Sequence, residues 1–206
     1  VIERAQNSAE RGVALTNRLL AFSRKQILHP AIVDASDTIS EFTGLLDRTL
    51  GENVTINTYL VQDVWPVEVD KSELENSILN LAINARDAFD GSGEITISTR
   101  NIVLEQDSIA NISVTEPGDF VQLSVRDNGR GMTEEVALQA CEPFFTTKVS
   151  GLGTGLGLST IYGFAKQSKG YIDITSVVDE GTTVDLYLPR YVGDKVETEV
   201  EHESDE

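Results

Sequence analysis

Four glycines occupy alternate positions in Gly151-Leu-Gly-Thr-Gly-Leu-Gly-Leu158, a segment that runs directly into a helical pattern. Each glycine costs conformational entropy when it is ordered, so a series of four is expensive. Before a helix, such a segment offers backbone N–H groups and the positive end of the helix dipole to phosphates. Its spacing matches neither a P-loop nor a dinucleotide fingerprint. Leucines alternate with the glycines, which disfavours a flexible linker, and we interpret the segment as a lid.

Periodicity along the chain predicts a helical stalk followed by an α/β domain. Residues 2–27 carry an apolar stripe with spacings of three and four, which ends before Pro30. Such a helix needs a partner, which could be a preceding helix, a second copy of the chain, or both. Helices are further predicted at 36–50, 71–89, 134–140 and 158–169, and strands at 54–61, 65–69, 95–104, 120–126, 171–176 and 183–188.

This order of elements predicts the fold class. Sequential strands joined by short turns favour a mixed, mostly antiparallel sheet with helices on one face, which is an α/β (α+β) two-layer sandwich. We predict a partial stalk at 1–30, the α/β domain at 31–192 and a tail at 193–206. The tail from Glu197 carries six acids and no Lys or Arg. Because it has so little to bury, we predict that it is disordered.

The charge balance narrows the functional classes. A net charge of −18, from 16 basic and 34 acidic residues, disfavours nucleic-acid binding, which needs clustered Lys and Arg. No apolar run approaches the roughly 18 residues of a membrane span, and no signal peptide opens the chain. The single cysteine, Cys141, excludes an internal disulfide framework. These features predict a cytoplasmic location.

A row of amides follows the predicted helix at 71–89. Asn76, Asn80 and Asn84 recur at intervals of four, so they share one side of the helix, next to its apolar face. Such a row can be merely the solvated edge of a helix. However, Asn is a mediocre helix former, and its amide oxygen is a suitable ligand for Mg²⁺.

Two further segments combine polar residues with glycine or aromatic residues. Asp127-Asn-Gly129-Arg-Gly131 follows a predicted strand, so its carboxylate could accept a hydrogen bond from an exocyclic amine such as that of adenine. The same residues also make an ordinary turn. In Phe144-Phe145-Thr-Thr-Lys148, the aromatic pair is predicted to pack under a loop. Lys148 could reach a phosphate or remain solvated.

Together these segments resemble the sequence boxes of histidine kinases. The matching segments, in the family's order, are Asn80 to Ala88 (N box), Asp127 to Gly131 (first glycine box), Phe144 to Lys148 (F box), Gly153 to Leu158 (second glycine box) and Gly181 to Thr183 (last turn). The N and F boxes look most like the nitrogen-sensor and hybrid-kinase branch of these two-component sensor kinases. The stalk resembles the second helix of the dimerisation and phosphotransfer hairpin.

The resemblance implies a Bergerat-type fold of the gyrase, chaperone and histidine kinase superfamily, with ATP and Mg²⁺ as ligands. Asn84 would coordinate Mg²⁺, and Asn80 would support the metal and the phosphates, which makes both catalytic. Asp127 would bind the adenine amine, helped by Gly129, Gly131 and, through water, Thr183. The residues that would close over or contact the triphosphate are Lys148, Gly153, Thr154, Gly155, Leu156, Gly157 and Leu158, with Arg86 as a further candidate.

The phospho-accepting histidine of this family matches neither histidine of the chain. His29 is followed by Pro30, and His202 lies in the tail. The resemblance therefore implies that the acceptor lies outside these residues, and that the chain binds MgATP without phosphorylating itself. It also implies a homodimer formed through the hairpin and phosphate relay to a response-regulator receiver domain. The acidic tail is consistent with a linker to such a domain.

Alternative functions remain open within the same superfamily. Gyrase-type ATPases carry a Glu at the position of Asn80, where it activates water. An amide cannot act as a general base, so Asn80 favours phosphotransfer over hydrolysis. The first alternative is an ATPase or chaperone-like clamp. The second is a module that binds nucleotide without turnover.

Overall fold

The structure is a computed structural model that describes residues 29–105, 116–148 and 153–193. The predicted stalk helix and almost all of the acidic tail lie outside these ranges. The elements are β1 (Ala31–Val33), α1 (Ala35–Leu50), β2 (Val54–Tyr59), β3 (Val67–Val69), α2 (Lys71–Arg86), β4 (Gly93–Leu104), β5 (Gly118–Asp127), α3 (Glu134–Gln139), α4 (Gly157–Gln167), β6 (Tyr171–Val177) and β7 (Gly181–Pro189). None of the helices in the described ranges has the length and the apolar character that a membrane span requires.

The five-stranded sheet has the order β2-β4-β5-β7-β6. Only β2 and β4 pair in parallel, while the other neighbouring strands are antiparallel. A parallel pair needs a crossover, and the chain between these two strands passes through β3 and α2. The predicted mixed, mostly antiparallel sheet is therefore confirmed. The strands β1 and β3 form a separate antiparallel pair, which the sequence did not predict.

The main core lies between the sheet and one layer of helices. It includes Leu74 and Ile78 of α2, Ile161 of α4, and Leu123 and Leu186 of the central strands, all fully buried. Alternate side chains of the two strands belong to this core, at 121, 123 and 125 of β5 and at 184, 186 and 188 of β7, so one face of the sheet packs against the helices. This arrangement confirms the two-layer sandwich.

Helix α2 is held at both ends. Asp70 caps its start, accepting hydrogen bonds from the backbone N–H groups of Ser72 and Glu73 at 3.0 and 3.2 Å. The helix ends at Arg86, three residues before the predicted end. There the chain tightens into a turn, in which the N–H of Phe89 donates to the carbonyl of Arg86 at 3.1 Å.

From the packing of α2 we predict how the loss of one buried side chain changes the free energy of unfolding. Leu74 is fully buried, whereas Leu138 on α3 is 78% exposed. We expect Leu74→Ala to lower the free energy of unfolding by about 2–5 kcal/mol, because it leaves a cavity under α2. Leu138→Ala, the matched control, should change it by less than about 0.5 kcal/mol. Urea unfolding measures both values, and equal effects would contradict this position of α2 in the core.

Candidate functional site

A cleft of about 1160 Å³ lies between α2, the loop after β5 and the start of α4. It is lined by every predicted site residue except Gly129 and Thr183. Three segments that are far apart in sequence therefore meet around one space, which is large enough for a small-molecule ligand.

Asp127 lies at the end of β5, where it is 8% exposed and lines the cleft. Its Oδ1 accepts hydrogen bonds from the backbone N–H groups of Gly129 at 2.8 Å and Thr182 at 3.3 Å. Within the described ranges, no residue donates to Oδ2. Burial raises the pKa of Asp127 despite the two hydrogen bonds, which act in the opposite direction. The carboxylate thus has one fixed oxygen and one available to a ligand.

The two glycines after Asp127 have different structural roles. Gly129 does not line the cleft; its N–H holds Asp127, and a Cβ there would lie 2.7 Å from the Cβ of Ala88. Gly131 lines the cleft with a φ of +61°. A Cβ at this position would lie 2.0 Å from the carbonyl oxygen of Val177, so only glycine fits.

The structure corrects the prediction for Thr183. Side chains alternate along β7, and Thr183 lies with Ser98, Gln122 and Asp185 on the sheet face opposite the helices. Its neighbour Thr182 lines the cleft instead. The N–H of Thr182 contacts Asp127, and its hydroxyl is hydrogen-bonded to Ser176 at 2.8 Å. The aliphatic residues Val184, Leu186 and Leu188, at alternate positions of the sequence, were the signal for which side chains face the helices.

Asn80 and Asn84 both line the cleft from α2. Among the residues that the structure describes, none is hydrogen-bonded to either side-chain amide. The start of α4 lies against Asn84, because a Cβ at Gly157 would be 3.2 Å from its Nδ2. Asn76, the third member of the row, is exposed at the edge of the cleft, 3.5 Å from a Glu73 oxygen.

The donor set of the cleft fits Mg²⁺ that arrives with phosphates. No group of three or more His, Cys, Asp or Glu that could hold a metal occurs among the described residues. Asn84 offers one amide oxygen to the cleft. Mg²⁺ typically takes one or two protein ligands and completes its shell with water and phosphate oxygens, so a single amide is compatible with it.

The F-box segment and the second glycine segment meet through their backbones. The N–H of Phe144 donates to the carbonyl of Gly155 at 2.8 Å. A Cβ at Gly155, where φ is +63°, would lie 2.3 Å from the carbonyl carbon of Phe144. Phe144 itself is 55% exposed, while Phe145 is half-buried and lines the cleft. The predicted packing of both aromatic rings under the loop is therefore wrong for Phe144.

The start of α4 is open towards ligands. Its N-cap residue is Leu156, and no side chain of the described residues caps the helix there. The first N–H groups of a helix lack partners within the helix and favour anions. Leu156 and Gly157 both line the cleft. The helix terminus that the sequence predicted therefore lies where phosphates could bind.

Asp87, which the sequence analysis did not select, joins the two predicted phosphate-binding cations. Lys148 Nζ lies 2.7 Å from Asp87 Oδ2, and Arg86 Nη2 lies 2.9 Å from Asp87 Oδ1. Burial acts to raise the pKa of Asp87, but the hydrogen bonds from Lys148 and Arg86 outweigh it, so the pKa is lowered. The sequence signal was an acid next to Arg86 within the N-box segment.

The chain matches one protein family and is similar to several sensor kinases. Residues 69–192 match the family model described as histidine kinase-, DNA gyrase B- and HSP90-like ATPase. The sensor kinase CckA of Brucella abortus is 40% identical over 190 residues, which cover 92% of this chain and 20% of the relative. The sensor histidine kinase ZraS of Klebsiella oxytoca is 30% identical over 183 residues, which cover 88% of this chain and 36% of the relative. The chain thus spans a fifth to about a third of these relatives.

Solved structures have the same fold. Full-length ShkA in complex with AMPPNP superposes with a TM-score of 0.69 at 21% identity, over 91% of this chain and 37% of that one. The histidine kinase ThkA in complex with the response regulator protein TrrA gives a TM-score of 0.67 at 20% identity, over 90% of this chain and 49% of that one. At these identities the likeness concerns the fold alone.

From the burial of Asp127 we predict how the free energy of unfolding depends on pH. Burial raises its pKa above the ordinary 3.8, so the folded chain binds this proton more tightly than the unfolded chain. Its contribution to the free energy of unfolding is therefore complete below about pH 4 and is lost as pH rises through the folded pKa. Asp127→Asn does not titrate.

We therefore expect Asp127→Asn to gain stability relative to the wild type as pH rises above about 4, and the gain then to level off. The amide oxygen can still accept the hydrogen bonds from Gly129 and Thr182. Urea unfolding of both chains, from roughly pH 4 to 8, measures the difference. A difference that stays constant or falls with pH would contradict the buried carboxylate.

Proposed function

Because the chain belongs to the family of histidine kinase-, DNA gyrase B- and HSP90-like ATPases, we propose that it is the ATP-binding catalytic portion of a sensor histidine kinase. The observation that carries this proposal is the composition of the cleft. A carboxylate with one uncommitted oxygen, at Asp127, lines the cleft. An uncapped helix start, two cations and Asn84 line the same cleft.

The Asp127 end is suited to adenine. Oδ1 is fixed by two backbone N–H groups, so Oδ2 can accept a hydrogen bond from the exocyclic amine. Apolar side chains, including Ile83, Met132 and Val184, also line the cleft and can cover a flat base. Guanine has a carbonyl where adenine has this amine, so the carboxylate selects against it.

The part of the cleft at the start of α4, Lys148 and Arg86 is suited to the triphosphate. The first N–H groups of α4, together with Lys148 and Arg86, supply positive charge in a partly enclosed space. Asn84 would hold Mg²⁺, supported by Asn80, and the metal would offset the negative charge that develops on the phosphates. Gly153, Thr154, Gly155, Leu156, Gly157 and Leu158 would close over the nucleotide.

The reaction is transfer of the γ-phosphoryl group to a histidine nitrogen. A P–N bond forms as the bond between the γ-phosphorus and the β,γ-bridging oxygen breaks, and ADP leaves. In the described lining of the cleft the acids are Glu73, Asp87 and Asp127. Asp87 is paired with two cations, Asp127 serves the adenine end, and Glu73 lies about 10 Å along the helix from Asn80. Since the amide of Asn80 cannot act as a general base, this set favours phosphotransfer over water activation.

The remaining parts of the proposal concern segments outside the described residues. The acceptor histidine would lie on a hairpin helix, whose second helix is the stalk at 1–30, and that hairpin would form a homodimer. The domain at 31–192 would then pass the phosphate, through the histidine, to the aspartate of a receiver domain. We propose a cytoplasmic location, where ATP is available, and treat 193–206 as a linker.

Nucleotide binding tests the adenine end. In Asp127→Asn, the two backbone N–H groups hold the amide oxygen, so the NH₂ group points at the adenine amine and two donors oppose each other. Losing a hydrogen bond to a charged group should weaken ATP binding about 10- to 100-fold. Calorimetric titration with MgATP measures this. Asp47→Asn, a change at an exposed acid on α1, is the control. Unchanged affinity in Asp127→Asn would refute the assignment.

Phosphotransfer tests the reaction itself. A chain extended by a hairpin helix with a phospho-accepting histidine is incubated with γ-labelled MgATP, and the label is sorted into protein-bound and free phosphate. We expect acid-labile, base-stable label on the protein, reduced about 100-fold or more by Asn84→Ala because Mg²⁺ loses its ligand. Asn76→Ala, at the exposed edge of the same row, should retain the activity. Free phosphate without labelled protein would indicate the ATPase alternative. If no ATP is turned over, the chain would instead be a module that only binds nucleotide.

A further inference from the structure

Asp87 connects two cations that reach the cleft from different parts of the chain. Lys148 follows Asp87 by 61 residues and contacts Oδ2 at 2.7 Å. Arg86 contacts Oδ1 through Nε at 3.2 Å and Nη2 at 2.9 Å. Both carboxylate oxygens are therefore used by cations. The three side chains are 26–38% exposed, so their charges interact in a partly desolvated space.

The backbone around Asp87 is also held by hydrogen bonds. Its N–H donates to the carbonyl of Ile83 at 3.0 Å, which caps the end of α2. Its carbonyl accepts a hydrogen bond from Arg130 Nη2 at 3.3 Å, and the N–H of Arg130 donates to the carbonyl of Ala88 at 3.1 Å. One residue thus joins the end of α2, the loop after β5 and the segment that carries Lys148.

The arrangement distinguishes Asp87 from a ligand of the nucleotide. A bare carboxylate would repel phosphates, whereas this one is part of a cluster of two cations and one anion with a net charge of +1. Lys and Arg side chains lose much rotamer freedom when they bind phosphates. A fixed carboxylate between them restricts that freedom before the nucleotide arrives, which is preorganisation.

We propose that Asp87 is a positioning residue for the triphosphate, which acts by holding Lys148 and Arg86 at the phosphate end of the cleft. This inference rests on the proposed function, since it assigns these two cations to the phosphates of ATP. It adds a residue that binds no part of the nucleotide itself. It also explains why a segment rich in phosphate-binding groups contains an acid.

The test compares ATP with adenosine, the nucleoside that lacks the phosphates. Asp87→Asn should weaken ATP binding about 5- to 20-fold and leave adenosine binding within about twofold, because adenosine uses only the Asp127 end. Asp87→Glu keeps the charge and should restore ATP affinity to within about threefold of the wild type. Glu41→Gln, which removes the acid of the exposed ion pair with Lys71, is the matched control and should change neither ligand.

A second comparison separates positioning from a general structural role. In a chain that carries both Arg86→Met and Lys148→Met, adding Asp87→Asn should lower ATP affinity by less than about twofold, because neither cation is left for Asp87 to position. Calorimetric titration gives all of these affinities. The adenosine affinity also reports whether each variant is folded.

Each contrary outcome has a distinct meaning. ATP affinity that is unchanged or tighter in Asp87→Asn would overturn the inference, as would an equal loss for adenosine. The inference would also be overturned if Asp87→Asn lowered ATP affinity by the same factor in the chain that lacks both cations. If the wild-type chain binds adenosine and ATP equally weakly, the proposed function itself fails, and the inference fails with it. Wild-type preference for ATP that Asp87→Asn leaves intact refutes only the role of Asp87.

Discussion

The burial of one face of α2 is the constraint on which the rest of the structure depends. Leu74 and Ile78 are fully buried against the sheet, and this packing fixes the rotation of the helix about its axis. With that rotation set, Asn80 and Asn84 line the cleft, and Asp87 at the end of the helix meets Lys148. Apolar packing on one side therefore determines the polar geometry on the other.

The packing of α2 both stabilises the fold and positions the site, whereas at Asp127 the site lowers the stability of the fold. The fold removes a carboxylate from water and compensates it with two backbone hydrogen bonds, which do not cancel the cost of burial, since its pKa stays raised. A protein that needed only a turn here would be better served by an uncharged residue. The unfavourable burial of this carboxylate is explained if its second oxygen binds a ligand, because residues of binding sites often lower the stability of the fold.

Much of this architecture was predictable from local pattern. Periodicity located α1, α2 and α4 and most strands, because a buried stripe repeats at the period of its element. Contacts between distant segments were not accessible in the same way. The β1–β3 pair and the link from Asp87 to Lys148 depend on how segments meet in space. Thr183 was misassigned by one residue, because the motif gives the position of a turn, whereas the phase of β7 decides which threonine faces the cleft.

The hydrogen bond between Thr182 and Asp127 also bears on how the molecule folds and opens. It joins positions 55 residues apart, and the cleft as a whole draws on α2, the end of β5, α4 and β7. The β6–β7 hairpin can form from local contacts alone, whereas the parallel pairing of β2 with β4 must wait for distant segments. A binding site assembled from such separate parts exists only when the fold is complete. A bound nucleotide would therefore stabilise the domain as one cooperative unit and suppress partial opening of any of these parts.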